Sequence, residues 1–490
     1  MRIRMIGTGV MGRGIAQWAA TAGHSVELSD ARPESVGEAV EFIRSMLDRA
    51  VGKGRTSAED AAAIANRLVP LASPGEPGDD VDLVIEAVRE DLGTKAELFA
   101  ELERVLPASA VFATNTSSLP ITQIAATLKD PSRLVGLHFF NPAPLMKIVE
   151  VIPGTFTRPE IVRQVSEFVR ASGHEAVVVS DTPGFLINHA GRGLVTEALA
   201  LLEEQVAEPA VIDRIARDVL GLKMGPFELM DLTGLDVTSV VIESIWEGFR
   251  FADRLRASYL TPNRVAAGLH GRKTGRGWYD YQGENPAEGT ISGDATRPVW
   301  SPDASVREAL AAAGATVSEG GIVLVPTWGT TVASAIAGQG LPKDRSFGVD
   351  PLSLATDRRV LAVTPASDVV AARDAAAVLS LGGNKVSVVR DTAGGVAQRL
   401  VASIVGVAAA IAEHGIASPG DIDLGVTRGL GYPVGPLAWG DRIGAERVLA
   451  LQSALHETLG DPRYRPTRWV TERAQLGLPL TAAGVSPTDV

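Results

Sequence analysis

An α/β doubly wound domain followed by two helical domains of one repeated type is the fold this sequence predicts, and three observations predict it. A short apolar run, Arg2 to Ile6, passes directly into Gly7-Thr8-Gly9-Val10-Met11-Gly12 and then into an amphipathic stretch, Ile15 to Ala20. Further apolar runs recur with helical stretches between them, the pattern of a parallel sheet covered by helices. Beyond Pro183 the periodicity is helical, and it repeats later at a constant spacing.

The opening segment reads as strand, glycine turn and helix. In that context Gly7 permits the tight turn, Gly9 lets a pyrophosphate approach the backbone, and Gly12 lets helix and strand pack closely. The amino terminus of the helix then faces the phosphates. A second strand, His24 to Ser29, ends at Asp30, the acid expected to accept hydrogen bonds from an adenosine ribose. An acid there favours NAD over NADP, although Arg32 nearby keeps NADP open. Val81 to Val88 suits a buried parallel strand, Lys95 to Leu106 a helix, and Val111–Thr114, Leu134–His138 and Ile148–Val151 three further strands.

Bulk composition narrows the function. At 490 residues the chain exceeds what one hydrophobic core supports, so about two to four domains are expected. With 45% hydrophobic and 21% charged residues, and no apolar run read as long enough to span a bilayer, a soluble protein with no membrane partner is expected. A formal net charge of -12 argues against a nucleic-acid partner. The sequence contains no cysteine, so disulfides, thiolate metal sites and a cysteine nucleophile are excluded; no metal is expected, and redox chemistry must come from a cofactor. The amino terminus enters a structured motif at once, and a cytoplasmic location is the expectation.

Two segments carry candidate chemistry. Ala113-Thr114-Asn115-Thr116-Ser117-Ser118-Leu119 lies at a strand end, where open parallel sheets contact ligands; the same residues also suit an ordinary turn and helix cap. In Gly136-Leu137-His138-Phe139-Phe140-Asn141-Pro142 a histidine ends an apolar strand. Glu150 sits inside the apolar run Ile148 to Val151, and an acid there requires a partner, for which His138 is the candidate. Such a pair suits alcohol oxidation, in which hydride leaves carbon and the hydroxyl proton passes to a base poised near neutrality.

These residues, from Gly7 through Val151, resemble the L-3-hydroxyacyl-CoA dehydrogenase family. The resemblance rests on Gly7 to Ala16, Val84 to Leu92, Ala113 to Leu119 and Gly136 to Pro142. It implies oxidation of a 3-hydroxyacyl-CoA with NAD, His138 as general base, Glu150 as its partner, and Ser117 bonding the substrate oxygen. Asn188, in Asp181 to Asn188, resembles the fourth member of the set and implies a cleft between domains. The resemblance also implies NAD contacts from Glu90, Lys95 and Asn115, and a CoA contact near Lys53, where Val51 to Arg55 equally reads as a solvated loop. His189 stands where relatives often carry arginine, which leaves the acyl group open.

The helical region begins with Leu194, Glu197, Ala198, Leu201 and Leu202 on one face, and Gly271 to Tyr279 closes it as a structural turn. Asp181 and Asp391, Ile212 and Ile422, Gly225 and Gly435 are each 210 residues apart. Four domains follow: an NAD-binding Rossmann-type domain over 1–182, a first helical domain over 183–285, a small α/β connector over 286–381 without a glycine fingerprint, and a second helical copy over 382–490. Gln398 takes the place of Asn188 in the copy, so the copy is read as structural, serving a homodimer or an internal pseudo-dimer. Two competing readings are a β-hydroxyacid dehydrogenase acting on a free acid, and a catalytically silent NAD-binding homologue.

Overall fold

The computed structural model describes residues 1–283, 288–486 and 490. The chain divides into two units, Met1–Ile187 with Gly415–Leu430, and Asn188–His414 with Gly431–Val490. The expected boundary at 285/286 lies outside the described residues.

In the first unit the elements follow as β1 (Arg2–Ile6), α1 (Val10–Thr21), β2 (Ser25–Ser29), α2 (Pro33–Gly52), α3 (Ala58–Ala65), β3 (Leu68–Pro70), β4 (Leu83–Glu86), α4 (Leu92–Val105), β5 (Val111–Thr114), α5 (Ile121–Ala125), β6 (Leu134–Phe139), β7 (Ile148–Pro153), α6 (Pro159–Ala171) and β8 (Glu175–Val178). The strands form one sheet in the order β3-β2-β1-β4-β5-β6-β7-β8. Helices pack on it through a shared core that includes Met5, Ile15, Trp18, Leu28, Ile85 and Val149. Trp18 anchors α1, since its ring meets Phe139 edge-on at 4.9 Å while its Nε1 donates to the Ser172 carbonyl at 3.1 Å.

The sheet departs from an all-parallel pattern at one place. β6 and β7 are antiparallel, with His138 directly opposite Glu150. The short link from Phe139 to Ile148 explains it: a parallel return needs a crossover of about a dozen residues or more, and a tight connection leaves only the antiparallel one.

The second unit begins within α7 (Ile187–Ala190), at Asn188, and follows with α8 (Arg192–Glu203), α9 (Pro209–Asp218), α10 (Pro226–Thr233), α11 (Leu235–Gly248) and α12 (Leu260–Ala266). It continues through β9 (Val299–Trp300), α13 (Ala304–Ala312), β10 (Ile322–Pro326), α14 (Val332–Gln339), β11 (Ser346–Val349), β12 (Arg358–Val363), α15 (Val369–Leu379) and β13 (Lys385–Arg390). α16 (Gly395–Glu413), α17 (Pro419–Gly429), α18 (Pro436–Ile443), α19 (Ala445–Leu459) and α20 (Arg468–Leu476) complete the chain. The region expected as a small connector is a five-stranded sheet in the order β13-β12-β11-β10-β9. Its last strand runs past the expected boundary at 381, because Lys385–Arg390 pairs in parallel with all of β12. Nor does the segment after 382 stay together: Gly415–Leu430, which contains α17, belongs to the first unit, where Ser180 N donates to the Ile416 carbonyl at 2.8 Å.

One expectation from composition needs correction. α16 is long and apolar enough to cross a membrane by length and composition, yet 83% of that window is buried within the protein. Its charged and polar positions are matched inside the fold. Arg399 donates from Nε to Glu197 at 2.6 Å, and Tyr464 Oη donates to the same buried carboxylate at 2.7 Å. Such a paired cluster satisfies charges that hydrocarbon would leave bare.

Gln398, also on α16, donates from Nε2 to Asp350 Oδ1 at 3.1 Å. The other oxygen of Asp350 is buried without a hydrogen-bond partner, and burial pushes this carboxyl up to about 6 despite the bonds from Gln398 and Leu352. An acid whose folded value lies above its unfolded one stabilises the fold fully below about pH 4, and that contribution is lost as pH rises through about 6. Asp350→Asn is therefore expected to remove this loss. Between acid and neutral pH the wild type should forfeit about 2–3 kcal/mol that the variant keeps, read as the difference between urea unfolding curves across that range; parallel curves would refute it.

Candidate active site

The glycine turn connects β1 to α1. Gly7 has φ +88°, and a Cβ on it would meet the Ala87 carbonyl oxygen at 2.6 Å. A Cβ on Gly12 would fall 1.7 Å from the Gly7 oxygen, so any side chain there would separate helix from strand. Around Gly9, by contrast, nothing lies within 4 Å of the Cβ position, and the residue caps α1 with no acid in the first turn. Open space, free helix amides and the helix dipole together make an anion seat of the kind a pyrophosphate fills. Asp30 follows β2 and is tied to the turn, since its Oδ2 accepts Thr8 N at 2.7 Å and Thr8 Oγ1 at 3.1 Å. The predicted Gly7, Gly9, Gly12 and Asp30 thus come together at the carboxyl ends of β1 and β2, and these residues fit a dinucleotide.

A second cluster lies beyond β4 and β5. Glu90 Oε1 accepts Thr116 Oγ1 at 2.6 Å, Ser117 N at 2.9 Å, and Ser118 through N at 3.0 Å and Oγ at 2.9 Å. Burial works against the Glu90 charge, but these bonds and the Lys95 ammonium outweigh it and hold the carboxyl below its usual range. Lys95 Nζ bridges Glu86 at 2.6 Å and Glu90 at 3.3 Å. Lys95, only 1% exposed, shapes this shelf through its two acids. Glu86, whose Oε2 accepts Thr114 Oγ1 at 2.7 Å, was not singled out in the sequence, where it reads as one more residue of an apolar strand. Asn115 Oδ1 accepts Phe139 N at 2.8 Å and so couples the β5 end to β6. Ser117 is exposed just past β5, its backbone held by Glu90.

His138 and Glu150 meet across the antiparallel pair, His138 Nδ1 to Glu150 Oε2 at 2.6 Å. Glu150 is fully buried, and its other oxygen accepts the backbone amides of Leu186 at 2.9 Å and Ile187 at 2.8 Å. A carboxylate accepts and does not donate, so Nδ1 carries the proton and Nε2 is the basic nitrogen. Nε2 makes no hydrogen bond among the described residues. Phe140 and Phe185 rings flank the imidazole at 4.5 and 5.7 Å. The arrangement can take a proton at Nε2 and spread the resulting charge onto Glu150.

The amides that hold Glu150 are themselves supported from far along the chain. A Cβ on Gly425 of α17 would lie 2.8 Å from Leu186 Cδ2, and one on Gly429 would lie 2.6 Å from Ile187 Cδ1. Glycines on this helix face let it press directly on the loop, a role that sequence spacing alone gave no sign of.

Lys53 follows α2 and lines a cleft of about 530 Å³ together with Arg13, Arg49 and Arg55. Phe42, Met46 and Leu145 supply apolar walls, and the Arg13 guanidinium stacks 3.8 Å above the Phe42 ring. Asn188 opens the second unit, half-buried in α7, and its carbonyl accepts Arg192 Nε at 2.9 Å. Its neighbour His189 is buried against the Phe249 ring at 4.5 Å. Burial, then the Arg192 charge, push that imidazole down to about 3, so it is neutral. Among the described residues no group of three histidine or acidic side chains is arranged to hold a metal ion.

Known proteins match the chain along most of its length. The family model of the 3-hydroxyacyl-CoA dehydrogenase NAD binding domain matches residues 2–182, and that of the 3-hydroxyacyl-CoA dehydrogenase C-terminal domain matches 184–281 and 394–486. The chain is 38% identical to 3-hydroxyadipyl-CoA dehydrogenase of Escherichia coli (strain K12), over 97% of both chains. It is 38% identical to a probable 3-hydroxybutyryl-CoA dehydrogenase of Bacillus subtilis (strain 168), over 57% of this chain and 97% of that one. The crystal structure of 3-hydroxybutyryl-CoA dehydrogenase from Escherichia coli K12 superposes with a TM-score of 0.86 at 35% identity, covering 97% of this chain and 98% of that one. This chain therefore belongs to the 3-hydroxyacyl-CoA dehydrogenase family.

Proposed function

We propose that this NAD-dependent 3-hydroxyacyl-CoA dehydrogenase oxidises the (S)-3-hydroxyl of an acyl-CoA thioester with His138 as general base and Glu150 as its partner. The 2.6 Å bond between them carries the reading. NAD, when bound, supplies the hydride acceptor. His138 Nε2 takes the hydroxyl proton as the carbinol carbon becomes a ketone, and Glu150 stabilises the imidazolium that forms. Ser117 and Asn188 orient the substrate oxygen and the thioester carbonyl. Gly7, Gly9, Gly12 and Asp30 hold the dinucleotide, with Asn115 and Glu90 bounding the nicotinamide side and Lys95 keeping Glu90 in place. The Asp30 carboxylate would repel a 2′-phosphate, which accords with NAD.

The cationic cleft around Lys53 supports a CoA site. Three arginines and a lysine offer charge to phosphates, while Phe42, Met46 and Leu145 suit the apolar stretches of the pantetheine arm. The names of the relatives support a short acyl chain. A β-hydroxyacid dehydrogenase and a silent homologue both lose ground to a His–Glu pair this closely bonded.

We read the remainder of the chain as a second copy of the same unit that kept its assembly role and lost its chemistry. Support comes from equivalent hydrogen bonds 210 residues apart: Ser180 N donates to Ile416 O at 2.8 Å, and Arg390 N to Val206 O at 2.9 Å. Asp181 accepts the amides of Ile121 and Thr122, as Asp391 does those of Val332 and Ala333. Where His138 faces Glu150, Asp350 N donates to the Val360 carbonyl at 3.3 Å. Gln398, the counterpart of Asn188, fills the space between Asp350 and the Gly329 amide, which it accepts at 3.0 Å. α8 and α16 cross at equivalent positions, where a Cβ on Gly193 would lie 3.0 Å from the Ser403 oxygen. Such self-complementary contacts are those of a two-fold dimer built into one chain.

His138→Gln is expected to lower kcat by about 10²–10⁴-fold while NAD binding persists, followed by NADH absorbance with 3-hydroxybutyryl-CoA and by NAD titration. Unchanged turnover would defeat the mechanism. Glu150→Gln should cost a comparable factor of about 10²–10⁴, because the amide oxygen would stay on the Leu186 and Ile187 amides and its NH₂ would face Nδ1, forcing the proton onto Nε2. Lys53→Ala combined with Arg49→Ala should raise KM for the CoA thioester about ten-fold or more and flatten its salt dependence, with KM for NAD unmoved. Equal changes in both constants would argue against a CoA cleft there.

A further inference from the structure

The second unit contains a buried cation that the mechanism above does not use. Arg192 lies on the helical turn after Asn188 and is 8% exposed. Its Nε is spent on the Asn188 carbonyl, while its Nη1 is buried with no hydrogen-bond partner. Other buried arginines of this unit have partners: Arg399 and Arg463 reach Glu197, Arg358 reaches Asp218 and Glu288, and Arg473 donates to the Ala482 and Ala483 carbonyls. Among the described residues Arg192 has no carboxylate within salt-bridge distance. Tyr432 is the group that offsets part of its burial, and the Tyr432 hydroxyl is also buried without a partner. His189, next to Asn188, adds a third such atom, Nδ1.

Burial lowers the guanidinium to about 10, so it remains charged at neutral pH, and His189 contributes no opposing charge because it is neutral. A full charge held out of water without a counter-ion is strongly disfavoured unless something else supplies the anion. Unsatisfied buried atoms on His189 and Arg192, which adjoin a candidate substrate-binding asparagine, and on Tyr432, which interacts with Arg192, mark a place where a ligand completes the hydrogen bonding. Side chains four apart on a helix stand about 5–6 Å from one another at Cβ. A carboxylate a few bonds beyond the carbinol carbon spans that distance.

We propose that Arg192, assisted by the Tyr432 hydroxyl, receives the terminal carboxylate of a 3-hydroxy dicarboxylic acyl-CoA, and so sets the acyl specificity. This rests on the reading of Asn188 as a substrate-binding residue of a 3-hydroxyacyl-CoA dehydrogenase. The guanidinium presents parallel donors to the two carboxylate oxygens, and the phenol donates a further bond. A methyl-ended chain of equal length would leave Arg192 Nη1 and the Tyr432 hydroxyl bare.

The test compares kcat/KM for 3-hydroxyadipyl-CoA and 3-hydroxyhexanoyl-CoA, two chains of one length ending in carboxylate and methyl. Wild type should prefer the carboxylated thioester by about ten-fold or more, the scale of one charge-assisted contact. The ratio should collapse in Arg192→Met, recover in part in Arg192→Lys, and fall less in Tyr432→Phe. A wild-type preference for the methyl-ended chain, or an equal fall on both substrates in Arg192→Met, overturns the proposal. Wild type inert toward both of these and toward 3-hydroxybutyryl-CoA would overturn the dehydrogenase reading itself, and this inference with it.

Discussion

The structure depends most on how one carboxylate is kept charged away from water. Glu150 has no exposed surface, and an ionised carboxylate in that setting is sustained only if its oxygens are filled. One oxygen takes His138, the other takes two backbone amides. Each partner constrains something larger. The His138 bond demands the antiparallel register of β6 on β7, and the amides demand that the chain leaving β8 turn back over the sheet. Helix α17, drawn from the far end of the sequence, closes that turn from outside through Gly425 and Gly429. His138 is thus oriented by groups from three distant stretches of chain.

The same logic runs through the shelf beside it. Lys95 is buried, yet it balances Glu86 beneath and Glu90 above, and Glu90 in turn gathers the amides and hydroxyls after β5. The loop that presents Ser117 is therefore tied down by a charged group. Arg192 stands apart because its charge finds no such closure within the described residues. The contrast is between a network completed within the fold and a charge left with one donor unmatched.

Much of the site was legible in the residue order. The glycine turn and Asp30 follow from spacing that only a strand, turn and helix can satisfy, and an acid within Ile148–Val151 announces a buried partner. Fold features tied to strong local patterns, such as β1, β5 and β6, were readable for the same reason. Less visible were β3, of three residues, and β13, whose alternation continues past the point where the helical copy was expected to start. The apolar character of α16 misleads for a related reason: composition records how hydrophobic a helix is, while burial decides what it touches.

Sequence alone determined which chemical groups exist and their order: a glycine turn, a histidine, an acid twelve residues later, and matching residues spaced 210 apart. Tertiary structure decided what those groups do to one another. It set His138 against Glu150 at hydrogen-bond distance, buried Lys95 between Glu86 and Glu90, and joined residues 415–430 to the first unit. The reason is one of range. Backbone propensity and hydrophobic period act over a few residues and can be read in order, whereas desolvation and charge pairing depend on which distant groups the folded chain brings within a few ångströms.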